Sequence, residues 1–164
     1  MKKTGKILSV NISKKKGEKK YQVPQANVFL NGIENDAHSG DWHRQVSILS
    51  FEDIEKIKET MPDIAPGEFA ENITAVGVDF SGVKIGDIIE IIPVTDLNYP
   101  LEIIDKNIKS VILEITQIGK ECTKPCEIFK KVGYCIMPRA GIFCRVVRGG
   151  KITNGDKIKI IYND

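Results

Sequence analysis

The chain has 164 residues, with 24 Lys and Arg against 22 Asp and Glu, for a net charge of +2. That length suits a single domain, residues 1–164, with room for a substantial core. No apolar stretch approaches the roughly 20 residues needed to cross a bilayer, so no membrane association is expected.

The modest net charge conceals an asymmetry. Lys2, Lys3, Lys6, Lys14, Lys15, Lys16, Lys19 and Lys20 load the start of the chain. Ser13 to Lys20 reads as a mobile, solvated hairpin loop. No matching basic stripe or aromatic stacking pattern accompanies it, so no nucleic-acid partner is expected. No apolar signal core follows Lys2 and Lys3, which points to a cytoplasmic protein whose thiols stay reduced.

Gly5 to Ile12 alternates as a strand, with Leu8, Val10 and Ile12 as its apolar face and Ile7, Ser9 and Asn11 opposite. Val28 to Leu30 and Arg44 to Leu49 are further strands, separated by a polar turn from Asn31 to Gly40. Phe51, Ile54, Ile57 and Met61 then recur at helical spacing. Ser50 is placed to cap this helix, with Asp53 three residues on as a variant capping box, and Pro62 to end it. Its expected role is to cover a sheet face. Glu71 and Asn72 read as a polar turn before a strand from Ile73 to Val76.

Gly86 to Ile92 and Gly155 to Ile161 echo each other, each a Gly-Asp turn feeding a β-branched strand. Ser110 to Thr116 and Gly141 to Arg148 add two more strands. The pattern predicts a mainly β protein, a β-barrel with one or two short helices, and not a parallel α/β sheet. No glycine-rich dinucleotide or phosphate-binding loop motif interrupts it.

All four cysteines, Cys122, Cys126, Cys135 and Cys144, fall near the end of the chain. Cys144 shares a strand face with Ile142 and Val146 and reads as core. Cys122 and Cys126 flank a turn with Lys120, Lys124, Lys130 and Lys131 around them, and nearby cations favour the reactive thiolate. Cys126 follows Pro125 and is placed to open a short helix, which would lower its pKa further. It is therefore the expected functional thiol. The competing reading is a zinc-stabilised, non-enzymatic binding domain, in which Cys122 and Cys126 pinch a metal and Cys135 closes the site with Cys144 or a histidine. Against it, only one ligand pair is tight.

Both histidines lie in the polar segment from Asn35 to Ser47, beside the only tryptophan. One reading is a loop held by Asp–backbone hydrogen bonds. The other is a pocket wall in which His38, Arg44 and Gln45 bind an anionic ligand. Arg139, in the turn before the Cys144 strand, is a further candidate for bidentate anion capture.

Taken together, Gly32 to Ser47, Pro66 to Thr74, Val111 to Cys126 and Val132 to Phe143 resemble the molybdenum cofactor sulfurase C-terminal (MOSC) domain, in its small stand-alone bacterial form. The resemblance implies a β-barrel and a cysteine that carries sulfur or ligates molybdenum, with Cys126 as the positional match. It further implies binding of a molybdenum–pterin cofactor, sulfur carriage for metal–sulfur centres, or service in a molybdenum-dependent reductase of N-hydroxylated compounds. A sulfur donor or a molybdoenzyme would be the partner. Pro93 to Asn107 is longer than the compact domain needs, and no pyridoxal-phosphate lysine motif is present.

Overall fold

A computed structural model describes residues 2–94, 109–122, 129–130 and 133–163. Seven strands close a barrel: β1 (Thr4–Ile12), β5 (Val46–Ser50), β6 (Ile73–Val76), β7 (Ile88–Ile92), β8 (Val111–Ile118), β9 (Ile142–Arg148) and β11 (Lys157–Ile161). Around the barrel the order is β1-β6-β5-β9-β8-β7-β11 and back to β1. Every pairing is antiparallel except β5–β6. Short β2 (Tyr21–Val23) extends the sheet beyond β1. The strands β3 (Gln25–Phe29), β4 (Gly32–Ile33) and β10 (Gly150–Thr153) form a small second sheet. The expected mainly β barrel is thus the observed fold.

The interior is an aliphatic cluster that includes Ile48, Ile73, Ile89, Leu113, Ile115 and Ile158. Burying each such side chain is worth roughly 1.5–3 kcal/mol before chain entropy is counted. Cys144 belongs to this core, fully buried as its strand face predicts, and burial pushes its thiol well above the ordinary range. In β1 the face assignment needs correction. Leu8 is exposed while Ile7, Ser9, Val10 and Asn11 are buried. The register against β6 shifts between Ile7 and Ser9, and such a bulge inserts a residue and resets which side chains point inward.

The parallel pair β5–β6 is joined through helix α1 (Phe51–Lys58). Ile54 and Ile57 of α1 pack with Leu49, Phe69, Met137 and Phe143 in a second apolar cluster. Strand β5 is consequently buried at every residue, with Ile48 in the barrel core and Leu49 in this cluster. The expected capping box does not form. Ser50 donates instead to Glu52 Oε2 at 2.9 Å, Glu52 Oε1 accepts from the Gly77 amide at 2.7 Å, and Asp53 pairs with Lys56. The helix closes a turn before Pro62, with the Thr60 and Met61 amides bonded to Ile57 O. Helix α2 (Met137–Ala140) replaces the turn expected around Arg139.

The repeated Gly-Asp turns are equivalent in three dimensions. Gly86 and Gly155 have φ of +95° and +97°, a left-handed conformation that glycine adopts without strain. Asp87 and Asp156 are buried, and each accepts a local amide, from Lys84 and from Thr153. The second oxygen of each reaches an amide beyond the partner strand, Asn163 for Asp87 and Val94 for Asp156. The antiparallel β7–β11 pair between them runs from Ile88↔Ile161 to Lys157↔Ile92. Among the described residues, no helix is long and apolar enough to cross a membrane.

Candidate functional site

The segment before β5 is anchored by a buried ion pair. Lys20 Nζ lies 2.6 Å from Asp36 Oδ1, with both side chains sealed from solvent. Nζ also meets Ser13 Oγ at 3.3 Å and His38 Nδ1 at 3.0 Å, three partners for the three protons of an ammonium. The solvated loop expected from Ser13 to Lys20 is therefore corrected at both ends. Ser13 and Lys20 are buried, and only Lys14, Lys15, Lys16 and Lys19 are exposed. Burial works against ionisation of Asp36, but the His38 and Ser13 amides and the Lys20 ammonium outweigh it and hold its carboxyl well below the ordinary 3.8. Burial pulls Lys20 down from 10.5, and Asp36 opposes that pull.

A lysine ammonium only donates, so His38 Nδ1 is an acceptor. Its separation of 3.6 Å from Asp36 Oδ2 is too long for a hydrogen bond. A ring that accepts at Nδ1 carries a proton on Nε2, for which no partner is found among the described residues. Trp42 Nε1 donates to His38 O at 2.6 Å and stacks its ring near the imidazole. The segment is tied down by Asp–backbone bonds, and His38 and Arg44 line a pocket.

That pocket is a cavity of about 80 Å³ bounded by His38, Arg44, Ser47, Ala70, Lys120 and Phe143, with Trp42, Phe69 and Met137 completing the wall. The Arg44 guanidinium lies 4.9 Å from the Trp42 ring centre and 5.8 Å from that of Phe143. Its Nε is buried without a partner among the described residues. Lys120 Nζ lies 6.0 Å from the same Phe143 ring. Among the described residues, no carboxylate lines the cavity. Such an arrangement of donors and cations can hold an anion.

The floor is built by residues 65–72. Gly67, at φ +90°, abuts Lys20, whose carbonyl would sit 2.5 Å from an added Cβ. Glu71 Oε1 accepts the Gly67 amide and the Thr74 hydroxyl, and its Oε2 has no partner. Burial pushes this carboxyl up from its ordinary range. Ala70 adopts a left-handed φ of +64°. Asn72 bonds Ser47 N, Ser47 Oγ and Asn11 O. Glu71 and Asn72, expected as a polar turn before β6, are fully buried.

Of the four expected cofactor contacts, His38 and Arg44 meet in this cavity. Gln45 lies beneath it with its amide committed to Leu30 O, Gly40 O and Val146 N. Arg139 is exposed and lines a separate cleft of about 570 Å³ with Lys2, Glu52 and Phe80. Cys126, the expected thiol and metal ligand, lies outside the described residues, as does most of the excursion after Pro93. Cys122 is exposed two residues beyond Lys120, and Cys135 packs against the Phe143 and Met137 cluster. Among the described residues, no group of three or more His, Cys, Asp or Glu is placed to hold a metal ion. Lys20 and Lys120 were not among the expected ligand contacts. The Lys-Lys run concealed the first, and the second read only as a cation near the cysteines.

A closed barrel with this pocket on its wall defines a class, and the comparisons give the family. The model of the MOSC domain matches residues 35–159, and the chain belongs to the MOSC domain family. No functionally curated protein matches the chain by sequence. Among solved structures it is similar to YUAD protein from Bacillus subtilis, at 21% identity and a TM-score of 0.75, covering 98% of this chain and 97% of that one. It is also similar to YiiM from Geobacillus stearothermophilus, at 19% identity and a TM-score of 0.66, covering 95% and 74%. YiiM from Escherichia coli follows at 15% identity and a TM-score of 0.61, covering 97% and 71%. At these identities the likeness concerns the fold.

Proposed function

We propose that this protein is a cytoplasmic binding and carrier module that holds the anionic end of a molybdenum–pterin cofactor, or carries sulfur destined for it, with Cys126 as the thiol. The observation that carries this reading is the buried, unpartnered Nε of Arg44 beside Lys120 and His38. A buried N–H left without an acceptor costs the fold stability, and a bound anion supplies the missing partner.

The cavity, at about 80 Å³, suits a tetrahedral anionic group and not a pterin body. The terminal phosphate of the cofactor therefore fits it, with the remainder lying outside. Arg44 would bind that group, Trp42 and Phe143 would orient the guanidinium, and Lys120 would add charge at the chain segment leading to Cys122 and Cys126. When bound, the cofactor supplies molybdenum for thiolate or sulfur exchange. A sulfur donor on one side and a molybdoenzyme acceptor on the other are the partners this role requires.

The test is analysis of the protein purified from its own source. Molybdenum with pterin, or a persulfide mapped by mass spectrometry to Cys126, is the expected result. Stoichiometric zinc, or a reactive thiol located at Cys122 or Cys135 and not at Cys126, would overturn the assignment.

A further inference from the structure

We propose that Lys16, on the loop between β1 and β2, is a further residue of the anion site, adding a positive charge that favours dianions over monoanions. This rests on the reading of the cavity as an anion site and adds the loop to it.

The link runs through Trp42. Its ring lines the cavity and is pinned by the Nε1 bond to His38 O at 2.6 Å. Arg44 Cζ lies 4.9 Å from the ring centre, and Lys16 Nζ lies 4.6 Å from it. Both fall within the roughly 6 Å reach of a cation–π contact. The two cations therefore stand no more than 9.5 Å apart, the two distances laid end to end. That is inside the screening length of about 10 Å at 0.1 M salt. Like charges held this close repel, and an anion at Arg44 relieves the repulsion.

Lys16 is not part of the cavity lining, so it is a positioning residue that acts through Trp42 and through its field. Coulomb energy is linear in ligand charge, so its field favours a dianion twice as strongly as a monoanion of the same shape. The same loop supplies controls of equal charge. Lys14 and Lys15 line a separate cleft with Ile12 and Tyr21.

Titration calorimetry at low ionic strength tests this with sulfate and perchlorate, two tetrahedral anions of different charge. Lys16→Gln should weaken sulfate about threefold and perchlorate about twofold or less. Lys16→Arg should bind both as the wild type does, and Lys14→Gln and Lys15→Gln should lose about 1.5-fold or less. Trp42 is the only tryptophan, so its emission reads the contact directly. It should shift in Lys16→Gln and stay unmoved in Lys15→Gln. Equal losses for the two anions would overturn the charge account and leave Lys16 a structural prop for Trp42. Equal losses in all three glutamine variants, or an unmoved Trp42 emission in Lys16→Gln, would overturn the assignment to Lys16. No binding of sulfate by the wild type would overturn the anion site itself.

Discussion

At the scale of single residues, the site is held at the expense of stability. Arg44 keeps a guanidinium nitrogen buried and unpartnered between Trp42 and Phe143, and methionine would fill similar space without that burden. Arg44→Met should raise the stability of the ligand-free protein by about 1 kcal/mol in urea titration. The same variant should lose the thermal stabilisation that sulfate gives the wild type. Ala70 contributes a second local strain, since a left-handed φ of +64° disfavours any Cβ. Ala70→Gly should gain roughly 0.5–1 kcal/mol, measured in the same way. An unchanged or lower stability would show that the surrounding bonds to Ser47 and Gly67 dictate the loop regardless of side chain.

At the scale of elements, the Lys20–Asp36 pair joins the loop after β1 to the segment before β5. Asp36→Asn leaves Lys20 buried beside a neutral group and should cost about 3–5 kcal/mol. Replacing both together, Lys20→Met with Asp36→Leu, should cost far less, while freeing His38 to exchange tautomers, visible in its ring nitrogen-15 shifts. The pH dependence has two edges. Asp36 is depressed in the fold, so its contribution is present above 3.8 and is lost as pH falls through its folded value. Glu71 is raised, so its contribution is present below 4.5 and is lost as pH rises through its folded value. Glu71→Gln should flatten the decline of stability with rising pH above about 4.5, measured by urea midpoints across that range. The sequence made His38 and Arg44 legible because ionisable residues crowd around one tryptophan. It hid Lys20, Glu71 and Asn72, because residue type alone marks them as surface and only long-range partners make their burial tolerable.

For the whole molecule, the barrel was legible because β-branched alternation recurs in β7, β8, β9 and β11, with Gly-Asp turns feeding β7 and β11. The bulge in β1 was not, since it depends on register against β6, more than sixty residues away. The matched Gly-Asp turns predict matched energetics. Asp87→Ala and Asp156→Ala should each cost about 2–4 kcal/mol, because each strands two amides that its carboxylate had received. A large inequality between the two in chemical denaturation would show that the turns are alike in geometry only. The closing seam carries a like-charge pair. β1 and β11 pair over Thr4 to Lys6, where Lys6 stands opposite Lys157. Lys157→Glu should remove a like-charge contact and stabilise the protein by about 0.5 kcal/mol at low salt, less at high salt.

That seam also sets the order of events in folding. β1, near the start of the chain, has β11, near its end, as one of its two barrel neighbours. During synthesis β1 must wait with one edge bare until Lys157 to Ile161 have emerged, while β7 waits for the same strand from the other side. A topology so dominated by distant pairings folds slowly, on the order of milliseconds to seconds. Over that interval, exposed edges invite pairing with other chains. The lysines at 6, 157 and 159 along this seam would then act as guards before it closes, repelling a second copy at the edge where barrel closure remains incomplete.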